Sequence, residues 1–185
     1  MMSLSWGAWP GIAVIAPVAT VAQAAEAAQA GARLVDLGRA GELIQAVRAQ
    51  ISGVGICADG AGPGGEEPDV MRDAALAARS GACLVCADTD TAADAVRAGI
   101  PAGRIAVVAA PAGIEAVRAA GWIVVADLEP WADSPVRVQA VAAVCVWLGA
   151  SAIRTRYVTA VQRSVDMTES ILGHRPPTRA VRGLA

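Results

Sequence analysis

The chain of 185 residues contains no lysine and no phenylalanine, a single tyrosine and a single histidine. Each gap excludes chemistry. Without lysine there is neither Schiff-base catalysis nor a Walker-type phosphate loop, so the GAGPGG run from Gly60 to Gly65 reads as a flexible loop or lid. His174 lies near the C-terminus among prolines, which argues against a His-based metal site or a Ser-His-Asp triad. No Gly-x-Gly-x-x-Gly follows the first apolar run, so a dinucleotide site has no support. No run reaches the length of a membrane span. The N-terminal GIAVIAPVATVAQAA looks superficially like a signal sequence, but it has no positive charge before Arg33 and is interrupted by Pro17; a strand followed by a helix explains it better.

What is present is largely small and apolar. Hydrophobic residues make up 55% and charged residues 17%, which excludes disorder. The length fits one domain, over residues 1–173, followed by a basic tail at 174–185. With aromatic residues at 3%, helices and strands must pack through small side chains. All fifteen cations are arginine. From Ser151 onward there are six arginines and two acids, against nine and fifteen before it. The tail lacks the interleaved aromatics of a nucleic-acid patch and reads as solvated or subunit-docking. Cys57, Cys83, Cys86 and Cys145 read as buried reduced thiols suited to a cytoplasmic protein. Cys83 and Cys86 have CxxC spacing, but three residues apart on a strand they point to opposite faces.

One theme recurs: an alanine-rich helix, a glycine stop, then a short apolar strand. Glycine supplies the left-handed cap that ends each helix. Strands are expected near 11–16, 32–37, 53–58, 82–87, 104–109, 122–127 and 151–155. Helices are expected near 20–30, 41–49, 69–79, 91–98, 112–119, 135–148 and 158–172. The strands are continuous apolar runs, as parallel strands covered on both faces should be. Seven βα units fit a truncated parallel (β/α) barrel of TIM type or, alternatively, an open doubly wound sheet. A full barrel usually takes about 250 residues, so a barrel here needs minimal loops and one lost or unrecognised strand.

Four of the runs end in an acid, at Asp36, Asp59, Asp88 and Asp127, and a fifth ends in Arg154 and Arg156. Parallel α/β folds place ligand chemistry at strand C-terminal ends, which makes this set the candidate ligand-binding ring. The competing role is helix capping. Asp88 and Asp127 have better caps downstream and Asp59 opens a Gly-rich loop, so only Asp36 is a comfortable near-cap. Arg154 and Arg156, two apart on a strand, would share a face and grip a phosphate, aided by the amides of the helix near Val158. Equally, they would form salt bridges with Asp127 or Asp36 across the mouth.

The segment LGASAIRTRYVTAVQRSVDM resembles the last βα unit of dihydropteroate synthases, in which Gly-Ala leads into a strand reading roughly Arg-Val-His-Asp-Val. Here the equivalent is Gly149-Ala150, then Arg154-Thr155-Arg156-Tyr157-Val158. GARLVDLG is similar to that family's second strand, with Asp36 and Gly38. ISGVGICADG resembles the third, with Asp59, and SGACLVCAD the fourth. AGIPAGRIAVVAAPAG resembles the strand leading into the family's Asp-Pro-Gly. The fifth strand has no visible counterpart. The resemblance implies a (β/α)8 barrel, condensation of p-aminobenzoate with a pterin pyrophosphate in folate biosynthesis, magnesium with that pyrophosphate, and a dimeric habit.

Several of the family's motifs are missing. The first strand ends IAPVAT in place of Asn-x-Thr-Pro-Asp-Ser, and Glu-Ser-Thr-Arg-Pro is absent after the second. Cys86 and Ala87 stand for Asn-Asp, Ala109 or Ala110 for the Asp-Pro-Gly aspartate, Leu128-Glu129-Pro130 for Ser-Arg-Lys, and Arg156 for the final His. A buried ligand group left unpaired costs about 1–3 kcal/mol. The expectation is therefore a non-catalytic protein with a degenerate pterin site, without a resident cofactor or metal. It would bind a pterin-like or phosphate-bearing small molecule through Arg154 and Arg156, or act as a homodimer or as the partner of a related subunit. The alternatives are an active synthase, using Arg154 and Asp59, or a structural protein whose interface is helix 135–148 with Trp147 and Cys145. Neither nucleic acid nor membrane is an expected partner.

Overall fold

The computed structural model describes residues 6 and 11–174; the tail beyond His174 lies outside the described residues. Eight parallel strands follow one another around a closed barrel. They are β1 (Ala13–Pro17), β2 (Leu34–Asp36), β3 (Gly55–Ala58), β4 (Val70–Met71), β5 (Cys83–Cys86), β6 (Ile105–Ala109), β7 (Ile123–Asp127) and β8 (Ala152–Arg154). β8 pairs with both β7 and β1, which closes the ring and excludes the open sheet. Around it lie α1 (Val21–Gln29), α2 (Ile44–Gln50), α3 (Ala74–Ser80), α4 (Thr89–Arg97), α5 (Ile114–Ala119), α6 (Pro135–Trp147) and α7 (Val158–Ile171).

The strand that sequence reading misses is β4. Its two residues pair on both sides, Cys57 with Val70 and Met71 with Leu84. Two apolar residues followed by Arg72 and Asp73 carry no period-2 signal, so they fall within the start of the expected helix at 69–79. That helix begins only at Ala74, where the Asp73 carboxylate accepts the Leu76 N–H at 2.9 Å. SGACLVCAD is consequently the fifth strand rather than the fourth, and the strand without a visible counterpart is the fourth. Economy of length explains how so short a chain closes: β3 and β4 are joined by the Gly-rich loop with no helix between them. Gly31, Gly81, Gly99, Gly121 and Gly149, each between a helix and the next strand, have φ between 82° and 98°, the left-handed turn anticipated from the repeated glycine stop.

Alternation along the strands separates two faces. Ala13, Ile15, Leu34, Cys57, Val70, Cys83, Val85, Ala106, Val125 and Ala152 form the cluster inside the barrel. Val14, Ala16, Val35, Ile56, Val124, Ala126 and Ile153 face the helices. Cys83 belongs to the inner cluster and Cys86 to an outer one, so the CxxC pair is split between faces. All four cysteines are buried thiols outside any disulfide. Burial pushes the Cys83, Cys86 and Cys145 thiols up to about 11. Cys145 is fully buried in the core, which removes it from the expected α6 interface.

The interior side chains are small, and the space they leave is shared with Trp6, which is 5% exposed and packs in the same cluster. Replacing a buried indole by a methyl group typically costs about 3–5 kcal/mol. Trp6→Ala is expected to lower the unfolding free energy measured in urea by that amount; an unchanged unfolding free energy would show that the barrel closes without it.

Candidate functional site

Parity along the strands builds the mouth. Asp36, Asp59, Arg72, Asp127 and Arg154 each lie two residues beyond an interior residue (Leu34, Cys57, Val70, Val125 and Ala152). Each side chain therefore points across the C-terminal opening of the barrel. Neighbouring register places Asp127 beside Arg154. β1 separates β8 from β2 and offers no charge at this level, so Arg154 reaches across it to Asp36.

These five side chains form one alternating chain of charge. Arg72 grips Asp36 with both terminal nitrogens, Nη1 to Oδ1 at 3.2 Å and Nη2 to Oδ2 at 2.8 Å. Arg154 Nε donates to the same Oδ2 at 2.8 Å. Arg72 Nη1 also donates to Asp59 Oδ1 at 2.8 Å, and Arg154 Nη1 lies 3.3 Å from Asp127 Oδ1. The far Asp59 oxygen meets exposed Arg39 at 3.8 Å. Asp36 Oδ1 additionally accepts the Gly38 N–H at 3.1 Å.

The Asp36 side chain is 1% exposed. Burial alone would raise its pKa, but hydrogen bonds and charge from Arg72, then Arg154, hold it below the usual carboxylate range. Beside it the Cys57 thiol is pushed up to about 12, by burial first and then by the Asp36 charge. Burial and the neighbouring carboxylate both favour the thiol of Cys57 over its thiolate.

Arg156 lies beyond β8, so the two-apart strand argument does not describe it. Its partner is Glu129, on the turn after β7. Glu129 Oε1 accepts the Arg156 backbone N–H at 2.8 Å, and Oε2 accepts Nε at 2.9 Å and Nη2 at 2.6 Å. Arg154 and Arg156 nevertheless share a cavity of about 470 Å³, lined also by Asp36, Glu129, Gln23 and Gly38.

Asp88 stands apart from this network. It follows the outward-facing Cys86 at the same parity and is the N-cap of α4, its Oδ1 accepting the Thr91 N–H at 2.7 Å. The expectation that a better cap lies downstream is corrected: Asp88 itself makes the capping bond, while Ser134 caps α6, leaving Asp127 for the mouth. Asp36, expected as a near-cap, is instead the centre of the ion network. Sequence reading passed over Arg72 and Glu129. The signal for Arg72 was its place directly after Val70-Met71; for Glu129 it was an acid two residues past Asp127 on a strand-end loop.

Among the described residues, no group of three or more His, Cys, Asp or Glu side chains is placed to hold a metal ion. Asp36, Asp59 and Asp127 each face a guanidinium, and a donor set already neutralised by arginine does not fit a divalent cation. Among the described residues, too, no helix is long and apolar enough to cross a membrane.

Removing one member of a buried ion pair leaves its partner charge uncompensated, at about 3–5 kcal/mol. Arg72 is 35% exposed, and solvent screening reduces that figure to about 2 kcal/mol. Arg72→Ala should lower stability in chemical denaturation by this amount, and Arg39→Ala, on a nearly fully exposed side chain, should leave it unchanged.

No protein-family model and no curated protein matches this chain. Solved structures do. The Mycobacterium tuberculosis protein Rv1207 superposes with a TM-score of 0.75 at 21% identity, covering 92% of this chain and 96% of that one. A dihydropteroate synthase from Xanthomonas albilineans, in complex with 7,8-dihydropteroate, gives 0.73 at 16% identity, over 91% and 95%. That from Coxiella burnetii, in complex with pteroic acid, gives 0.66 at 15% identity, over 88% and 94%. At these identities the likeness is one of fold, and across most of its length this chain resembles the dihydropteroate synthases: an eight-stranded parallel barrel of TIM type.

Proposed function

We propose that this chain is a non-catalytic relative of the dihydropteroate synthases, a weak binder of a phosphate-bearing or pterin-like molecule that works mainly as a partner subunit. The single observation that carries the reading is the saturation of the mouth by its own charges. Arg72 and Arg154 are taken up by Asp36, Asp59 and Asp127, and Arg156 by Glu129. A pterin needs carboxylate and amide groups free to answer its ring donors and acceptors. Here the buried Asp36 carboxylate accepts from two guanidiniums, and a ligand would have to break those bonds first. At about 1.4 kcal/mol per tenfold in affinity, breaking one pair worth about 2 kcal/mol weakens binding about 30-fold. The anion end remains, with Arg154 and Arg156 on one cavity of a size suited to a small molecule.

The partner role is supported by α6. Arg137 and Gln139 are the only polar residues in its thirteen; Arg137 is paired with Asp133 and Gln139 donates to the Ala160 carbonyl on α7. Val136, Val144 and Trp147, on its outer side, are 72%, 53% and 62% exposed. A helix apolar on every side is ordinarily buried on every side. Beside it an apolar cavity of about 370 Å³ is walled by Pro111, Trp131, Val141 and Val144. This face suits a second copy of the chain or a related barrel.

Incubation with p-aminobenzoate, a pterin pyrophosphate and magnesium should give no condensation product. Product formation that disappears in Arg154→Ala would establish the enzyme instead. In sedimentation velocity the protein should run as a dimer, or co-sediment with a related barrel, and Trp147→Glu should abolish the association; a wild-type monomer that pairs with nothing would remove the partner role.

A further inference from the structure

We propose that the Glu129 carboxylate is a built-in competitor for an anion subsite centred on Arg156, and that a phosphate-bearing ligand binds by displacing it. This rests on the reading of the mouth as an anion-binding site and names the device that governs it.

Three donors converge on Glu129: the Arg156 backbone N–H and two guanidinium nitrogens, all within 2.9 Å. A backbone amide beside a guanidinium fork is the donor set that recognises paired anionic oxygens. Exposure is unequal. The Glu129 side chain is 18% exposed and that of Arg156 58%, so the carboxylate lies inside and the cation covers it, unlike a pair of free surface charges. The acid is delivered by a turn rather than by a strand. Its backbone N–H donates to Asp127 Oδ1 at 3.1 Å, and the Tyr157 hydroxyl donates to the Ala132 carbonyl at 3.1 Å, which holds the Leu128–Ala132 turn against the start of α7.

Arg156, with Pro17, Val18 and Gln23, lines two cavities. One is the 470 Å³ mouth cavity that contains Glu129, Arg154 and Asp36. The other, about 430 Å³, runs between α1 and the first residues of α7 and is lined by Arg156, Tyr157, Val158, Thr159 and Ala160. The N-cap residue Tyr157 supplies no side-chain acceptor to the first turn of α7. Released from Glu129, the Arg156 guanidinium borders both spaces and can accompany an anion in either.

The arrangement sets the ligand class. As an intramolecular group, Glu129 competes at an effective concentration on the order of millimolar or higher. A monoanion with the same charge gains nothing by exchange, whereas a pyrophosphate or phosphate ester brings more charge and more acceptor oxygens to the same donors. The site is thus closed to simple carboxylates and open to phosphate-bearing molecules.

Calorimetric titration with inorganic pyrophosphate, and separately with acetate, tests this on the wild type, Glu129→Gln, Arg156→Ala and the double variant, with a melting curve for each. Pyrophosphate should bind Glu129→Gln about tenfold or more tightly than the wild type. The gain should vanish in the double variant, and acetate should not bind the wild type. Glu129→Ala, which removes the acceptor altogether, should shift affinity in the same direction. Equal affinities in the wild type and both Glu129 variants would overturn the competitor role while leaving the anion site standing. A gain that survives loss of Arg156 would overturn the subsite's location. No heat from any variant would overturn the anion-binding reading itself.

Discussion

A carboxylate almost sealed from water and held by two guanidiniums organises this protein. Asp36 lies at the end of β2; its partners, Arg72 and Arg154, come from the ends of β4 and β8. Desolvating a lone carboxylate is costly, and the two arginines offset that cost in the folded mouth. That pairing joins strands that are not neighbours in the sheet. It spans β3 on one side and β1 on the other, and it determines which atoms remain free for anything else.

An all-arginine complement of cations suits such a network. The guanidinium stays charged across the whole physiological range, and its fork engages two carboxylate oxygens or two different acids at once. Arg72 does both, with Asp36 and Asp59. Lysine would offer a point charge and a titratable one. The result is a mouth whose charges are internally balanced, on a fold shared with dihydropteroate synthases in complex with 7,8-dihydropteroate and with pteroic acid. Sharing the barrel does not entail sharing the chemistry. Chemistry depends on which groups the strand ends leave unpaired, and here they pair with one another.

Compactness has the same origin in small side chains. Alanine, valine and cysteine line much of the barrel interior, most helices are only two turns or so long, and one crossover has no helix at all. The fold closes because glycine ends helices abruptly and because a two-residue strand suffices for one pairing on each side. What the interior lacks in bulk, Trp6 contributes from outside the strand set.

The order of elements, their parallel character and the stop at each glycine were legible along the chain, because those signals are local: continuous apolar runs, helical periodicity and left-handed turns. Asp36, Asp127 and Arg154 were legible as strand-end charges for the same reason. Which of these charges face one another was not. A continuous apolar run does not reveal which alternate residues point inward, and a shift of one residue exchanges the faces. Asp88 and Asp36 therefore look alike in sequence, yet Asp88 follows an outward-facing Cys86 and caps a helix, while Asp36 follows Leu34 into the barrel. Arg72 was hidden because β4 is too short to carry a pattern; only pairing on both sides makes it a strand. The sequence by itself determined the repeating βα architecture and the supply of charges at strand ends. The tertiary structure alone decided that the sheet closes with eight strands and that those charges neutralise each other, because both depend on pairings between residues far apart in the chain.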